Sequence, residues 1–238
     1  NIIGKPLNGI YALKTDGFIG EQDEMKVFYN QMGVSNYLSG FFKNAFYKPG
    51  DHKFIDVNGD GEINADDRVY CGSTLPTISG GIVNEFRWKN FDLNMLMAYS
   101  LGRHIVNYVA KKVWTDGQYA LMGDLNDVSF WEKPGDHPDY PKLEAARLNA
   151  NWDYVDRDVE KVNYLRLKTL TMGYSFPKKW SRKAGIDELR VFVSGENLFT
   201  WTNYSGLDPE TVDITTGIDY TLNYPLARKY TLGLTLKF

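Results

Sequence analysis

Residues 229–238 read Lys-Tyr-Thr-Leu-Gly-Leu-Thr-Leu-Lys-Phe, and every second residue from Tyr230 to Phe238 is bulky and apolar. Strand side chains alternate, so Tyr230, Leu232, Leu234, Leu236 and Phe238 share one face, opposite Thr231, Gly233, Thr235 and Lys237. A soluble half-buried strand reads this way. A membrane strand does too, with lipid on the apolar face and a wet lumen on the face of glycine, threonine and lysine.

The same alternation recurs upstream. Phe91, Leu93, Met95, Met97, Tyr99 and Leu101 alternate with Asp92, Asn94, Leu96, Ala98, Ser100 and Gly102. Just before them, Ile78, Ile82, Phe86 and Trp88 oppose Ser79, Gly81, Glu85 and Arg87, and only Lys89 and Asn90 intervene, which predicts a tight hairpin. A second hairpin is expected over 161–200. Its return strand sets Leu189, Val191 and Val193 against Arg190, Ser194 and Glu196. Its first strand changes phase, from Leu165 and Leu167 to Leu170, Met172, Tyr174 and Phe176, so a slip near Lys168–Thr169 predicts a β-bulge or a strand leaving the membrane. The connection 177–186 is basic, with Lys178, Lys179, Arg182 and Lys183, and residues 8–15 offer one weaker strand.

The links between strands alternate in length. Backwards from Phe238 they run long (201–225), short (177–186), long (104–160), very short (89–90) and long (16–77). Outer-membrane barrels have this rhythm, with short periplasmic turns and long extracellular loops. Aromatics gather at the strand ends: Trp88 and Phe91, Phe176 and Trp180, Phe199 and Trp201. Such residues form interfacial girdles. The expected fold is all-β, the antiparallel strands of a transmembrane barrel. About six strands cannot close one, since single-chain barrels start at about eight. The chain opens on Asn1 without a leader, so it is expected to be the C-terminal segment of a longer protein.

One local motif is sharp. Asp56-Val-Asn58-Gly-Asp60-Gly61-Glu62-Ile63-Asn64-Ala-Asp66-Asp67 places oxygen donors at loop positions 1, 3, 5, 9 and 12, with glycine at 6. This is an EF-hand-like Ca2+ loop spanning 56–67, within the external loop 16–77. Asp56, Asn58, Asp60 and Asp67 are the expected side-chain ligands. Glu62 is expected to ligate through its carbonyl and Asn64 through a water. Asp67 stands where an EF-hand carries glutamate. No flanking amphipathic helix pair is evident, so the metal is read as structural, stiffening the loop.

Other chemistries lack residues. A net charge of −3 with pI near 5.7 argues against nucleic acid as partner. His52, His104 and His137 have no metal-ligand spacing, and Cys71 has no nucleophile signature. Gly80-Gly81 falls inside a strand, so it cannot be a phosphate loop. The chain is therefore not read as an enzyme. With 43% hydrophobic and 24% charged residues it is not disordered either. Aromatic residues in the long loops, Trp114, Tyr119, Trp131 and Trp152 in 104–160 and Tyr204 in 201–225, either face substrate or partner, or form small cores for their own loops.

The residues taken in order resemble the C-terminal part of the SusC/RagA-type TonB-dependent outer-membrane transporters of Bacteroidota. The resemblance rests on Lys14-Thr15-Asp16-Gly17-Phe18-Ile19, Pro49-Gly50-Asp51, Phe54 to Gly61, Asp67-Arg68 and Asn90-Phe91-Asp92-Leu93. Further on it rests on Tyr164-Leu165-Arg166-Leu167, Gly173 to Pro177, Gly195-Glu196-Asn197-Leu198-Phe199, Tyr204 to Glu210 and the terminal Leu-Thr-Leu-Lys-Phe. It implies about the last six strands of a 22-stranded barrel. It also implies a plug and a TonB-contacting segment, neither of them in this sequence, a SusD-like lid lipoprotein, and TonB-powered import of glycans or peptides. Tyr230, Leu232, Leu234, Leu236 and Phe238 match the signal read by the barrel-assembly machinery. Asp92, Asn94, Arg190 and Glu196 are expected to line the lumen, with outer-membrane lipid on the other face. The competing reading is a soluble, calcium-stabilised, β-rich carbohydrate-binding module.

Overall fold

The computed structural model describes residues 8–20, 49–60, 65–108, 129–142, 155–182, 185–219 and 224–238. The chain divides into two compact units: one from residues 1–74, 104–160 and 213–222, the other from 75–103, 161–212 and 223–238.

The first unit holds two small antiparallel sheets. Strand β1 (Gly9–Leu13) pairs with β4 (Arg68–Ser73), and β2 (Thr15–Phe18) with β3 (His52–Phe54). In β1 the alternation turns Ile10 and Ala12 inward, and they join Ile19, Phe54, Ile105, Val106 and Val155 in the buried core. Ladder bonds extend this core: Ile19 N–H donates to the Asp51 carbonyl at 2.8 Å, and Val106 N–H to that of Gly217 at 2.8 Å.

The second unit is built on a five-stranded antiparallel sheet in strict sequence order. Its strands are β5 (Ile78–Trp88), β6 (Phe91–Val106), β7 (Val159–Ser175), β8 (Glu188–Thr202) and β9 (Lys229–Lys237). Of the about six strands expected, the weakest, over 8–15, lies outside this sheet as β1. A short helix α1 (Lys178–Ser181) occupies the basic connection between β7 and β8.

Register sorts the side chains as the alternation requires. Phe86 opposes Leu93, Ile82 opposes Met97 and Trp88 opposes Phe91, while Arg87 opposes Asp92 and Glu85 opposes Asn94. Between β8 and β9, Val191 opposes Leu234 and Val193 opposes Leu232, while Ser194 opposes Thr231 and Glu196 opposes Lys229. The β5–β6 turn closes over Lys89 and Asn90, and Lys89 adopts φ +55°, as a two-residue primed turn demands. The β7–β8 register shifts between Leu167 and Thr169, where Asn197 and Leu198 of β8 stand against the single Lys168 of β7, a bulge in β8 with Asn197 at φ +51°. Leu167 lies opposite Phe199 and Met172 opposite Val193, on either side of this shift.

Candidate functional site

The polar face of the sheet carries paired charges. Asp92 on β6 and Arg190 on β8 are separated by β7, yet the Arg190 Nε–H donates to Oδ1 at 3.1 Å and an Nη2–H to Oδ2 at 2.5 Å. The pair crosses over Gly173 of β7, where an added Cβ would lie 2.3 Å from Arg190 Nη2 and 2.6 Å from Asp92 Oδ1. The missing side chain is the space through which the ions meet. Further along, Thr171 and Ser194 share a hydroxyl hydrogen bond of 2.7 Å, and Lys229 approaches Glu196 at 3.5 Å. Asp92, Asn94, Arg190 and Glu196 thus share the polar face by register.

Where this face passes into the loop after β8, two buried arginines hold the chain. Arg103, 5% exposed, donates to the carbonyls of Pro209 (3.1 Å) and Val212 (2.9 Å). Arg166, 3% exposed, meets Asp208 Oδ1 at 2.5 Å and Glu210 Oε2 at 3.0 Å, and Lys168 bonds the other oxygen of Glu210. Asp208 is the hub, since it also accepts the N–H groups of Glu210 (3.0 Å) and Leu226 (3.1 Å). Arg166, Asn197, Thr200, Leu207, Leu226 and Arg228 are among the residues lining a cavity of about 650 Å³ of mixed polar and apolar character. Sequence reasoning did not single out this clamp. Its trace was present in Tyr164-Leu165-Arg166 and Asp208-Pro209-Glu210, a cation at an inward position and two acids flanking a proline. Tyr204 lies beside it at 6% exposure, its ring packed over Gly206, so it forms loop core.

In the other unit, the described part of the calcium motif is a run of turns closed by Asp and Asn side-chain oxygens. Asp56 Oδ1 accepts the Gly59 N–H at 2.7 Å, and Asn58 Oδ1 accepts that of Asp60 at 2.9 Å. Asn58 Nδ2–H donates to Asp60 Oδ2 at 2.8 Å. Asp67 is fully buried and its Oδ1 receives the Val57 N–H at 2.8 Å, which brings the last position of the motif back to the second. These donors suit a hard cation, being oxygen atoms on one folded-back loop. Glu62 and Asn64 lie outside the described residues, and among the described ones no group of three or more acidic, histidine or cysteine side chains is gathered at metal distance.

Trp131 is also buried, at 5% exposure, with its ring against Gly50, where a Cβ would lie 2.6 Å from Cε3. Gly50 has φ +96°, so glycine is needed there for conformation as well as for space. Loop 129–142 is closed by Ser129, whose hydroxyl and N–H both donate to Asp139 Oδ2 at 2.7 and 3.2 Å. These bonds hold the Asp139 carboxyl below its ordinary range. Trp114, Tyr119 and Trp152 lie outside the described residues. Burial pushes the Cys71 thiol up.

The apolar face of the sheet is open. Tyr230, Leu232, Leu234, Leu236 and Phe238 are 70, 76, 59, 41 and 87% exposed, and Ile82, Phe86, Met172 and Val193 are exposed as well. A contiguous apolar surface of this kind does not suit a soluble module. It suits lipid, with Trp88, Trp180, Phe199 and Trp201 exposed near strand ends as interfacial aromatics. Among the described residues no helix is long and apolar enough to cross a membrane; this sheet is the element fitted to do so.

No protein-family model matches the chain. It is 33% identical over 201 residues to TonB-dependent receptor P3 of Formosa agariphila, covering 80% of this chain and 19% of that protein. It is 28% identical over 225 residues to TonB-dependent receptor SusC of Bacteroides thetaiotaomicron, covering 88% of this chain and 21% of the other. In fold it is similar to the solved RagAB peptide transporter, with TM-score 0.60, 22% identity, and coverage of 98% of this chain and 23% of that one. The chain spans about a fifth of the length of these relatives. Kinship, sheet order and a lipid-ready face agree: the chain belongs to the SusC/RagA-type TonB-dependent receptors, as one stretch of an outer-membrane β-barrel.

Proposed function

We propose that the chain supplies wall and external loops of an importer that takes up glycans, or peptides, across the outer membrane. A SusD-like lipoprotein lids the external side, and TonB supplies energy through parts of the receptor that this chain does not include. The observation that carries the reading is the two-faced register of the β5–β6 and β8–β9 pairs, with apolar pairs such as Ile82–Met97 and Val193–Leu232 on one side and Asp92, Arg190 and Glu196 on the other. Such a wall gives lipid and a watery lumen each their own surface. The named relatives support the choice of importer; SusC and the RagAB peptide transporter stand among them.

Substrate and lid would be met by the external loops, with Trp114, Tyr119 and Trp152 as the aromatic contacts and Trp131 and Tyr204 shaping those loops from within. A Ca2+ ion held by Asp56, Asn58, Asp60, Asp67, the Glu62 carbonyl and Asn64 would stiffen loop 16–77. Binding and gated passage need no covalent chemistry. Deleting the full-length gene and growing the cells on single glycans or peptides tests the import reading. A defect confined to one nutrient class, and reproduced by disabling TonB, is expected; normal growth on every glycan and peptide would overturn it.

A further inference from the structure

At one end of the five-stranded sheet the short connections lie side by side. Ser175 N–H donates to the Asn90 carbonyl at 2.8 Å, so the β5–β6 turn abuts the end of β7. Asp187 N–H donates to the Lys237 carbonyl at 2.7 Å, which brings the end of β9 to the same rim. This rim is cationic. Lys89, Lys178, Lys179, Arg182 and Lys237 are all exposed; the acids at this end are Asp187, 3.6 Å from Arg182 with both side chains largely in solvent, and exposed Glu188 opposite Lys237. It is also aromatic. Trp88 is 62% exposed with Lys89 Nζ 5.1 Å from its ring centre, and Trp180 is 61% exposed between Lys179 and Arg182.

We propose that this short-turn rim binds the phosphodiester headgroups of anionic phospholipids in the leaflet beside it. Each part follows from placement. The apolar face of Tyr174, Val191, Val193, Leu234 and Leu236 ends at this rim, so acyl chains run up to it. An indole at the end of such a face lies at headgroup depth. The cations beyond it then stand where phosphates are, and long lysine and arginine side chains reach them by snorkelling. Arg87 and Arg190 do not take part: Arg87 pairs across the hairpin with Asp92 on the polar face, and Arg190 is bonded to Asp92. The site rests on the barrel reading, in which short turns face the periplasm and its phospholipid leaflet.

The test uses the full-length receptor in detergent, titrated with phosphatidylglycerol, phosphatidylcholine or glycerol phosphate and read by native mass spectrometry. Wild type is expected to retain phosphatidylglycerol in preference to phosphatidylcholine, and to bind free glycerol phosphate weakly. Lys178→Gln, Lys179→Gln and Arg182→Gln combined should weaken phosphatidylglycerol at about fivefold per cation, roughly a hundredfold in all. Trp180→Ala should weaken both lipids alike. Should the triple variant not assemble, raising salt over wild type gives the same reading, since phosphatidylglycerol retention must then fall towards that of phosphatidylcholine. Equal binding of the two lipids by wild type, an unaffected triple variant, salt-independent retention, or equal binding of free glycerol phosphate would each overturn the site. Heat-modifiable mobility of the same samples reports the barrel separately, so a failed lipid site is not confused with a failed barrel.

Discussion

Asp92 and Arg190 reach each other across an intervening strand, with contacts of 3.1 and 2.5 Å passing directly over Gly173. The pair ties β6 to β8 without using β7, and it depends on a residue that contributes no atoms to it. Gly173→Ala puts a methyl group among the ions, so the pair has to open. A part-buried, charge-assisted pair of this kind is worth about 1.5–3 kcal/mol. Gly173→Ala and Asp92→Asn should each cost about that much, and the two together little more than either alone. A double-mutant cycle on urea unfolding of the full-length receptor measures this; additive losses would show that glycine serves another purpose there.

Arg166 carries the second charge network. Its removal leaves Asp208, 3% exposed, without its guanidinium, and Glu210 with Lys168 alone. Breaking a buried pair by deleting one partner costs about 3–5 kcal/mol. Arg166→Ala is expected to release the segment 203–219, read as faster proteolysis within it. Arg166→Lys should recover only part, because one ammonium cannot engage both carboxylates in the planar fork geometry. Equal protease resistance of wild type and Arg166→Ala would remove the clamp from the account.

These two networks mark where sequence reading stops. The strands were legible because alternation is local: Phe91 to Leu101 and Tyr230 to Phe238 declare their faces within ten or so residues. The hairpin at Lys89–Asn90 and the slip near Lys168–Thr169 were legible for the same reason. Asp92 and Arg190 lie 98 positions apart, and Arg166 and Asp208 lie 42 apart, so each pairing depends on register and loop path. Trp131 and Tyr204 show the ambiguity of loop aromatics. The same residue serves a partner or its own loop, and only burial against Gly50 and Gly206 decides for the loop.

Loop 129–142 carries a pH dependence whose direction follows from Asp139. Its carboxyl is held below the ordinary range, first by the Ser129 hydroxyl, then by the Ser129 N–H, with Arg157 adding charge. A depressed carboxyl stabilises the folded loop fully above the unfolded value, about 3.9. That contribution is lost as pH falls through the lower folded value. Asp139 is exposed, so solvent screening keeps the effect below about 1 kcal/mol. Proteolysis by an acid-active protease should open this loop more readily at pH 3 than at pH 6 in wild type, and Asp139→Asn should flatten that difference.

Calcium is the most exposed of the proposals to a direct measurement. Asp56, Asp60 and Asp67 sit on one folded-back loop, and Asp67 is buried with its Oδ1 on the Val57 N–H. Two roles for Asp67 follow, loop closure and ligation, whereas Asp60 is proposed as a ligand only. Binding to the folded form alone stabilises by about 2.7 kcal/mol when the free ion exceeds its dissociation constant a hundredfold. Added Ca2+ should therefore raise the protease resistance of the segment 49–67 in wild-type receptor, and chelator should remove that gain. Asp60→Asn, which keeps an acceptor for the Asn58 amide, should approach chelated wild type and respond little to added Ca2+. Asp67→Ala should be weaker still, with or without the ion, because closure is lost as well. If chelation leaves wild type unchanged, the hydrogen-bonded turns suffice and the loop is a structural Asx-rich turn.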